Sequence, residues 1–220
     1  MENADNTTSK SNPIDPAAMF KFSYGLFVLT AKDGSKDNGC IINTAIQITA
    51  APLRMSIAVS KANYTHDMII KTGEFNISIL STSVPFKVFE HFGFKSGRDA
   101  DKFAECESEN RLDNGIKYIP KFTNCAISGK VADTYDYGTH SVFIADITES
   151  VVLSNEPSVT YQYYFDNIKP KPEAKSSEGK EEKKKGFICK ICGYIYEGDT
   201  LPDDFICPLC KHGAVDFEPL

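Results

Sequence analysis

The sequence predicts a mainly β protein: an antiparallel barrel with flanking helices, followed by a small C-terminal unit organised on a metal. Three observations carry this. Six strand-like runs rich in Ile, Val, Thr and aromatics recur between residues 20 and 153, separated by Gly, Pro and Asn. A charged stretch, KPKPEAKSSEGKEEKKKG at 169–186, has no aromatic or β-branched residue. Beyond it, CKICGYIYEGDTLPDDFICPLC sets two Cys-x-x-Cys pairs fourteen residues apart.

Taken in order, residues 1–13 are polar and lack a basic segment followed by an apolar one, so they are expected to form a disordered leader and not a secretion signal. The first domain is expected to span 14–168. DPAAMFKF opens it as a short helix, with Asp15 as cap and Pro16 at the first helical position. FKFSYGLFVLTAK ends in a strand, and KDGSKDNG supplies turn residues. CIINTAIQITA, LRMSIAVS, EFNISIL, CAISGKVADTYDY and SVFIADITESVVL follow as strands. THDMIIKTG, 65–73, predicts a helix with a Thr cap and a terminal Gly. VPFKVFEHFG, 84–93, predicts a second helix ending the same way. Many strands with few helices favour an antiparallel barrel. Segment 169–186 cannot bury enough apolar area to offset its ordering entropy and is read as a flexible tether. Residues 187–220 are too few to fold on an apolar core alone, so a metal must supply the folding free energy.

The net charge of −6 argues against nucleic acid as a partner. No apolar run reaches the roughly 18 residues that span a bilayer. The cysteines number seven, and Cys40, Cys106 and Cys125 stand apart from the paired set. That odd number suits a reducing, cytoplasmic compartment better than a disulfide framework.

Cys189, Cys192, Cys207 and Cys210 can hold one tetrahedral ion. Zinc would make the tail a structural knob and iron a one-electron carrier. Tyr194, Tyr196, Phe205 and Phe217 can build an aromatic core beside it, with Ile191 and Leu209 at the tips of the two chelating turns. Apolar tips limit water at the metal. Six acidic residues against two lysines suit docking on a basic partner. In the barrel, Asn38, Asn43, Thr44 and Gln47 interleave with apolar residues as a ligand edge would. Ser60, Lys61, Asn63 and Thr65 lie where a strand passes into a helix; hydroxyls, one amine and a helix N-terminus suit a phosphate. A capped helix after a turn accounts for the same residues. His66 reads as a first-turn helix residue, and His91 and His212 as surface residues. No G-x-G-x-x-G follows a strand, so a Rossmann nucleotide site is absent.

Cys189-x-x-Cys192-Gly193-Tyr194-x-Tyr196, Leu201-Pro202-Asp203-Asp204-Phe205, Cys207-Pro208-x-Cys210 and Phe217 resemble rubredoxin in its shortened form, with Phe205 where rubredoxins usually have Trp. The resemblance implies iron on the four cysteines. Asn38-Gly39, Asn43-Thr44, Gln47-Ile48-Thr49, Pro52, Ser60-Lys61, Tyr64-Thr65-His66, Ser96-Gly97-Arg98-Asp99, Asp101-Lys102-Phe103 and Gly138-Thr139-His140 resemble the flavin reductase-like family, the FMN-binding split barrel. That resemblance implies FMN contacts at Asn38, Cys40, Ile42, Asn43, Thr44 and Gln47 along the ring. It implies contacts at Ser60, Lys61, Asn63, Tyr64 and Thr65 at the phosphate, with Arg98 and Lys102 either binding phosphate or capping a lid loop. His140 would sit near the face where the nicotinamide of NAD(P)H stacks, and the family forms homodimers. The combination is similar to flavin reductase–rubredoxin fusions, the high-molecular-weight rubredoxins. They pass electrons from NAD(P)H through FMN and iron to an acceptor such as a flavodiiron O2 or NO reductase. The alternatives are a flavin reductase that releases reduced flavin and carries a zinc ribbon, and a non-catalytic flavin-binding module.

Overall fold

The computed structural model describes residues 18, 21–104, 110–170, 186–189, 195–207 and 213–219. The leader, most of the first expected helix, most of the tether, Cys106, Ile191, Cys192, Gly193, Tyr194, Leu209, Cys210 and His212 lie outside them.

The first unit is built on a seven-stranded antiparallel sheet. Its strands are β1 (Phe27–Asp33), β2 (Lys36–Ile42), β3 (Ile46–Ala50), β4 (Leu53–Ser60), β5 (Glu74–Leu80), β6 (Thr123–Asp136) and β7 (His140–Val152). Their order is β2-β1-β5-β6-β7-β4-β3, so β2 and β3, consecutive in the chain, are its two edges. Only residues 43–45 join those edges. Four Cα–Cα steps reach at most about 15 Å, so the sheet must roll until its edges nearly meet. The result is a barrel left unpaired along one seam.

Strand alternation decides which side chains enter the barrel. Leu29 and Ala31 of β1, Ile57 and Val59 of β4, Phe75 of β5, and Phe143 and Ala145 of β7 are all fully buried in one core. Helix α1 (Tyr64–Thr72) adds Met68 and Ile69 to it. The other face of β1 is covered too, because Val28 joins a second core with Leu80, Phe89, Phe92, Val159 and Tyr164. That core lies under α2 (Phe86–Phe89) and its π-helical extension Glu90–Phe94, and under α3 (Tyr161–Tyr163) with its extension Tyr164–Ile168. Phe89 and Tyr164 meet with ring centroids 4.5 Å apart. Burial on both faces explains why FVLTA in β1 is buried throughout.

Four expectations change. The segment CIINTAIQITA is two strands, because Asn43 and Thr44 fall in the link that carries the chain from one barrel edge to the other. The turn in KDGSKDNG is only Gly34–Ser35, and Lys36–Gly39 already belong to β2. Helix α1 has Asn63, not Thr65, at its N-cap position, with no side-chain capping bond, and it ends at Gly73, whose φ of 72° closes the helix in the left-handed region. The second helix does not stop at Gly93 but runs through it to Phe94.

The second unit is a three-stranded sheet of β8 (Phe187–Cys189), β9 (Ile195–Tyr196) and β10 (Phe217–Pro219), in the order β10-β8-β9. Cys189 pairs with Phe217 in register. Cys189 and Cys207 are buried with Phe217, against Phe187, Tyr196, Leu201 and Phe205.

Candidate functional site

A cleft of about 290 Å³ opens between β2, the β4–α1 link and the segment after α2. β2 brings Asn38 and Cys40 to its floor, the link brings Ser60 and Asn63, α1 brings Tyr64, and the opposite wall runs from Gly93 to Gly97, with Lys102 below.

Asn38 is 2% exposed. Its Nδ2 donates to Thr65 Oγ1 at 2.9 Å, while its Oδ1 is buried with no partner. Gly97 makes that placement possible, since a Cβ there would lie 1.9 Å from Asn38 Oδ1. Burial pushes the Cys40 thiol up, and the Thr65 side chain and the charge of Lys102 offset this only in part, so Cys40 holds its proton. Lys102 is buried; its Nζ donates to Gly39 O at 2.8 Å and Phe92 O at 3.0 Å. Burial lowers its pKa.

The mouth is charged. Arg98 Nη2 donates to Asp67 Oδ2 at 2.5 Å, and the guanidinium lies 4.9 Å from the Tyr64 ring centroid. Lys36 Nζ is 4.6 Å from the same centroid. The Arg98 hydrogen bond, foremost, holds the Asp67 carboxyl below its ordinary range.

The remaining expected residues are placed elsewhere. Ile42 packs in the barrel core. Thr44 Oγ1 donates to Ala58 O at 2.7 Å, tying the edge link to β4. Asn43 is half-buried in that link. Gln47 is exposed and borders a separate apolar cavity of about 330 Å³ with Phe27, Met55, Ile77 and Ile147. Lys61 Nζ pairs with Asp136 at 2.6 Å, and its N–H donates to Thr139 O at 3.0 Å, clamping the β6–β7 turn beside the cleft. His140 is exposed and lies opposite Ser60 in the β4–β7 register, with Nδ1 3.0 Å from Thr139 Oγ1. His66 sits in the first turn of α1, its Nε2 2.9 Å from Ser141 Oγ. His91 is not a surface residue: it is half-buried and Nε2 donates to Lys102 O at 2.7 Å. Sequence reasoning gave no lining role to Phe94 or Lys95, which carry no polar pattern of their own. It also left Lys102 between two roles; in the structure its Nζ donates to Gly39 O and Phe92 O.

The donor set fits a flavin nucleotide. The buried Asn38 Oδ1 waits for a donor such as a ring imide or a ribityl hydroxyl. Ser60, Asn63 and the N-terminus of nine-residue α1 suit an anion, and Arg98 stands at the same mouth. In the tail, Cys189 and Cys207 are 1% and 0% exposed. Tyr196, Phe205 and Phe217 stack edge-on beside them, at 4.7 and 5.3 Å. The other two expected ligands, Cys192 and Cys210, lie outside the described residues.

Residues 19–171 match the model of the flavin reductase like domain, and residues 187–218 that of the rubrerythrin, rubredoxin-like domain. The chain is 34% identical to a high molecular weight rubredoxin of Moorella thermoacetica, over 94% of this chain and 100% of that protein. It is 29% identical to a ferric-chelate reductase (NAD(P)H) of Archaeoglobus fulgidus, over 69% of this chain and 89% of that one. Among solved structures, the NADH:FAD oxidoreductase SgcE6 of Streptomyces globisporus is similar at a TM-score of 0.58 and 18% identity. It covers 68% of this chain and 92% of its own. A flavoredoxin from Methanosarcina acetivorans matches at a TM-score of 0.57 and 20% identity, covering 66% and 76%.

Proposed function

The chain belongs to the flavin reductase-like family and carries a rubredoxin-like domain at its C-terminal end, and from that premise we propose that it relays electrons from NAD(P)H through FMN to a four-cysteine iron centre and on to an external acceptor. Family membership makes it an oxidoreductase and flavoprotein of electron transport, with a flavin, FMN or FAD, and NAD(P)H in the barrel and iron in the tail. The finer assignments are part of the proposal. They are FMN as the flavin, a cytoplasmic homodimer, and a flavodiiron O2 or NO reductase as acceptor. Among the described residues no helix is long and apolar enough to cross a membrane.

The observation that carries the reading is one chain holding both a flavin-type cleft and a rubredoxin-type tail. A bound flavin accepts a hydride as two electrons and can release them singly, which matches a two-electron donor to a one-electron iron site. The protein's own residues bind and orient. Asn38, held by Thr65, presents an acceptor from a fixed position. Ser60, Asn63 and α1 receive the phosphate. Arg98 ties the loop after α2 to α1 through Asp67 and so narrows the mouth. His140, beside Ser60, borders the approach of the nicotinamide. Cys189, Cys192, Cys207 and Cys210 hold the iron, and residues 169–186 tether the two units, raising the concentration of one centre at the other.

Stepwise NADH addition to the full chain, followed in the visible spectrum, tests this. Bleaching of both flavin and iron bands supports the relay. Bleaching of neither overturns it. A flavin that bleaches beside a colourless, zinc-containing tail would establish instead a reductase that releases its flavin.

A further inference from the structure

We propose that His66 is a positioning residue that holds the mouth of the cleft closed over a bound flavin, acting through Asp67 on Arg98. This rests on the flavin reading above and goes beyond it, by giving a role to a histidine that is not among the residues lining the cleft.

His66 is 6% exposed and lies in the first turn of α1. Both ring nitrogens are engaged, Nδ1 at 3.2 Å from Asp67 Oδ1 and Nε2 at 2.9 Å from Ser141 Oγ. The Asp67 carboxyl is held below its ordinary range, so at neutral pH it is ionised and can only accept. In the neutral ring, Nδ1 therefore carries the proton and Nε2 accepts from the Ser141 hydroxyl. Phe143 packs against the ring, with centroids 5.7 Å apart. The imidazole cannot turn without losing both bonds.

The contacts continue to the cleft. Asp67 presents its other oxygen, Oδ2, to Arg98 Nη2 at 2.5 Å. The Arg98 guanidinium lies 4.9 Å from the ring centroid of Tyr64, and Tyr64 and Gly97, the residue before Arg98, both line the cleft. At the far end, Ser141 pairs with Val59 in the β4–β7 register, one step from the pair of Ser60 and His140. One imidazole thus links the wall that carries Arg98 to the strands that carry Ser60 and His140.

A histidine that only filled the core would need no such partner. Successive side chains on a helix point about 100° apart, so His66 and Asp67 do not meet by default. The Asp67 side chain is 46% accessible and water could solvate it. Its turn toward His66 instead fixes one carboxylate oxygen and leaves the other facing Arg98. An exposed ion pair gains little when two free side chains must be held in one geometry. Fixing one of them in advance lowers the ordering cost of closing the mouth.

The test uses the full chain loaded with FMN, and the rate of FMN release on dilution is read from the recovery of its fluorescence. His66→Leu removes both bonds and keeps an apolar side chain of similar size. The expected result is release about two- to threefold faster, the size an exposed pair allows. Arg98→Ala should give the same change, and the double variant no more than either single one. His66→Asn, whose amide can donate from the place of Nδ1, should release FMN at the wild-type rate. Nitrogen NMR of the loaded wild-type protein should show the neutral ring protonated at Nδ1. Unchanged release in His66→Leu, multiplied effects in the double variant, or His66→Asn as fast as His66→Leu would make His66 a packing residue only and overturn the proposal. A neutral ring protonated at Nε2 would overturn it too. If His66→Leu does not fold, Ser141→Ala, which frees the ring at Nε2, takes its place in the same cycle and is read in the same way. A wild-type barrel that takes up no flavin sinks the underlying reading as well, a separate outcome seen before any variant is made.

Discussion

Gly97 has no side chain because Asn38 fills the space where one would stand. A Cβ added there would lie 1.9 Å from Oδ1, and Asn38 cannot simply turn away while its Nδ2 is bonded to Thr65 at 2.9 Å. Gly97→Ala must lift the loop or break that bond, and either change moves the one unsatisfied acceptor on the cleft floor. The expected outcome is a loss of FMN affinity of at least about tenfold, the effect of one misplaced hydrogen bond, read by fluorescence titration on a variant that still folds. Asp67 gives a second prediction, on pH. Its carboxyl is held below the ordinary value of 3.8, first by the Arg98 hydrogen bond. A carboxyl lowered in the folded state contributes stability above its unfolded pKa, and that contribution is lost as pH falls through the folded pKa. The pair is half exposed, with side chains 50% and 46% accessible, so its worth is no more than about 0.5 kcal/mol. Arg98→Ala should return the Asp67 carboxyl toward 3.8, seen by NMR titration, and leave stability at neutral pH nearly unchanged.

Between residue and domain, elements are clipped together by buried polar side chains. Asn76 on β5 is fully buried. Its Nδ2 donates to Ile116 O at 2.8 Å, and its Oδ1 accepts from Asn114 Nδ2 at 2.7 Å and Ser128 Oγ at 2.8 Å. One amide thus binds the loop before β6 to β5 and β6. Asn76→Ala strands several buried partners and should cost about 3 kcal/mol, measured by urea denaturation of the flavin-loaded protein. The strands themselves were legible. In β4 and β7 buried and half-exposed residues alternate as LRMSIAVS and HSVFIADIT suggest, and Gly73 marks the end of α1 in advance. What escaped the sequence had non-local causes. Asn43 and Thr44 sit in an apolar run that local propensity reads as one strand, and only closure of the barrel forces a break there. Thr65 and Asn63 are both cap-forming residue types; the helix starts with Asn63 at the N-cap position and Thr65 in its first turn, where its hydroxyl accepts from Asn38, 27 residues earlier. In the site, the polar patterns holding Asn38, Ser60 and Asn63 were readable and these three line one cleft, whereas Asn43, Thr44, Gln47, Lys61 and Thr65 of the same patterns do not. Lys102 was ambiguous because only the fold shows that its ammonium points inward to Gly39 and Phe92.

At the scale of the whole molecule the two units rest on different kinds of stabilisation. The barrel has two apolar clusters of its own, with fully buried side chains from β1, β4, β5 and β7. Among the described residues of the tail the strands are two or three residues long, and the apolar cluster is Cys189, Cys207 and Phe217 with a few half-buried neighbours. Two of those three buried residues are expected metal ligands, so the core of the tail and its metal site are nearly the same object. A unit of some thirty residues is too short to offset its ordering entropy, about 1–2 kcal/mol per residue, with an apolar core alone, so a bound metal would supply folding free energy. Removing the metal with a chelator, or replacing Cys207 with Ser, should therefore unfold the tail alone. The expected readings are rapid proteolysis within residues 187–220 and loss of the dispersed amide signals of β8–β10. The barrel should keep its unfolding midpoint within about 1–2 °C, as independent units do. Flavin reduction by NADH should persist at its wild-type rate, while reduction of any acceptor that depends on the tail should cease. A barrel that melted together with the demetallated tail would mean that the two units share one cooperative core, and the separation of roles between cleft and sulfur site would have to be abandoned.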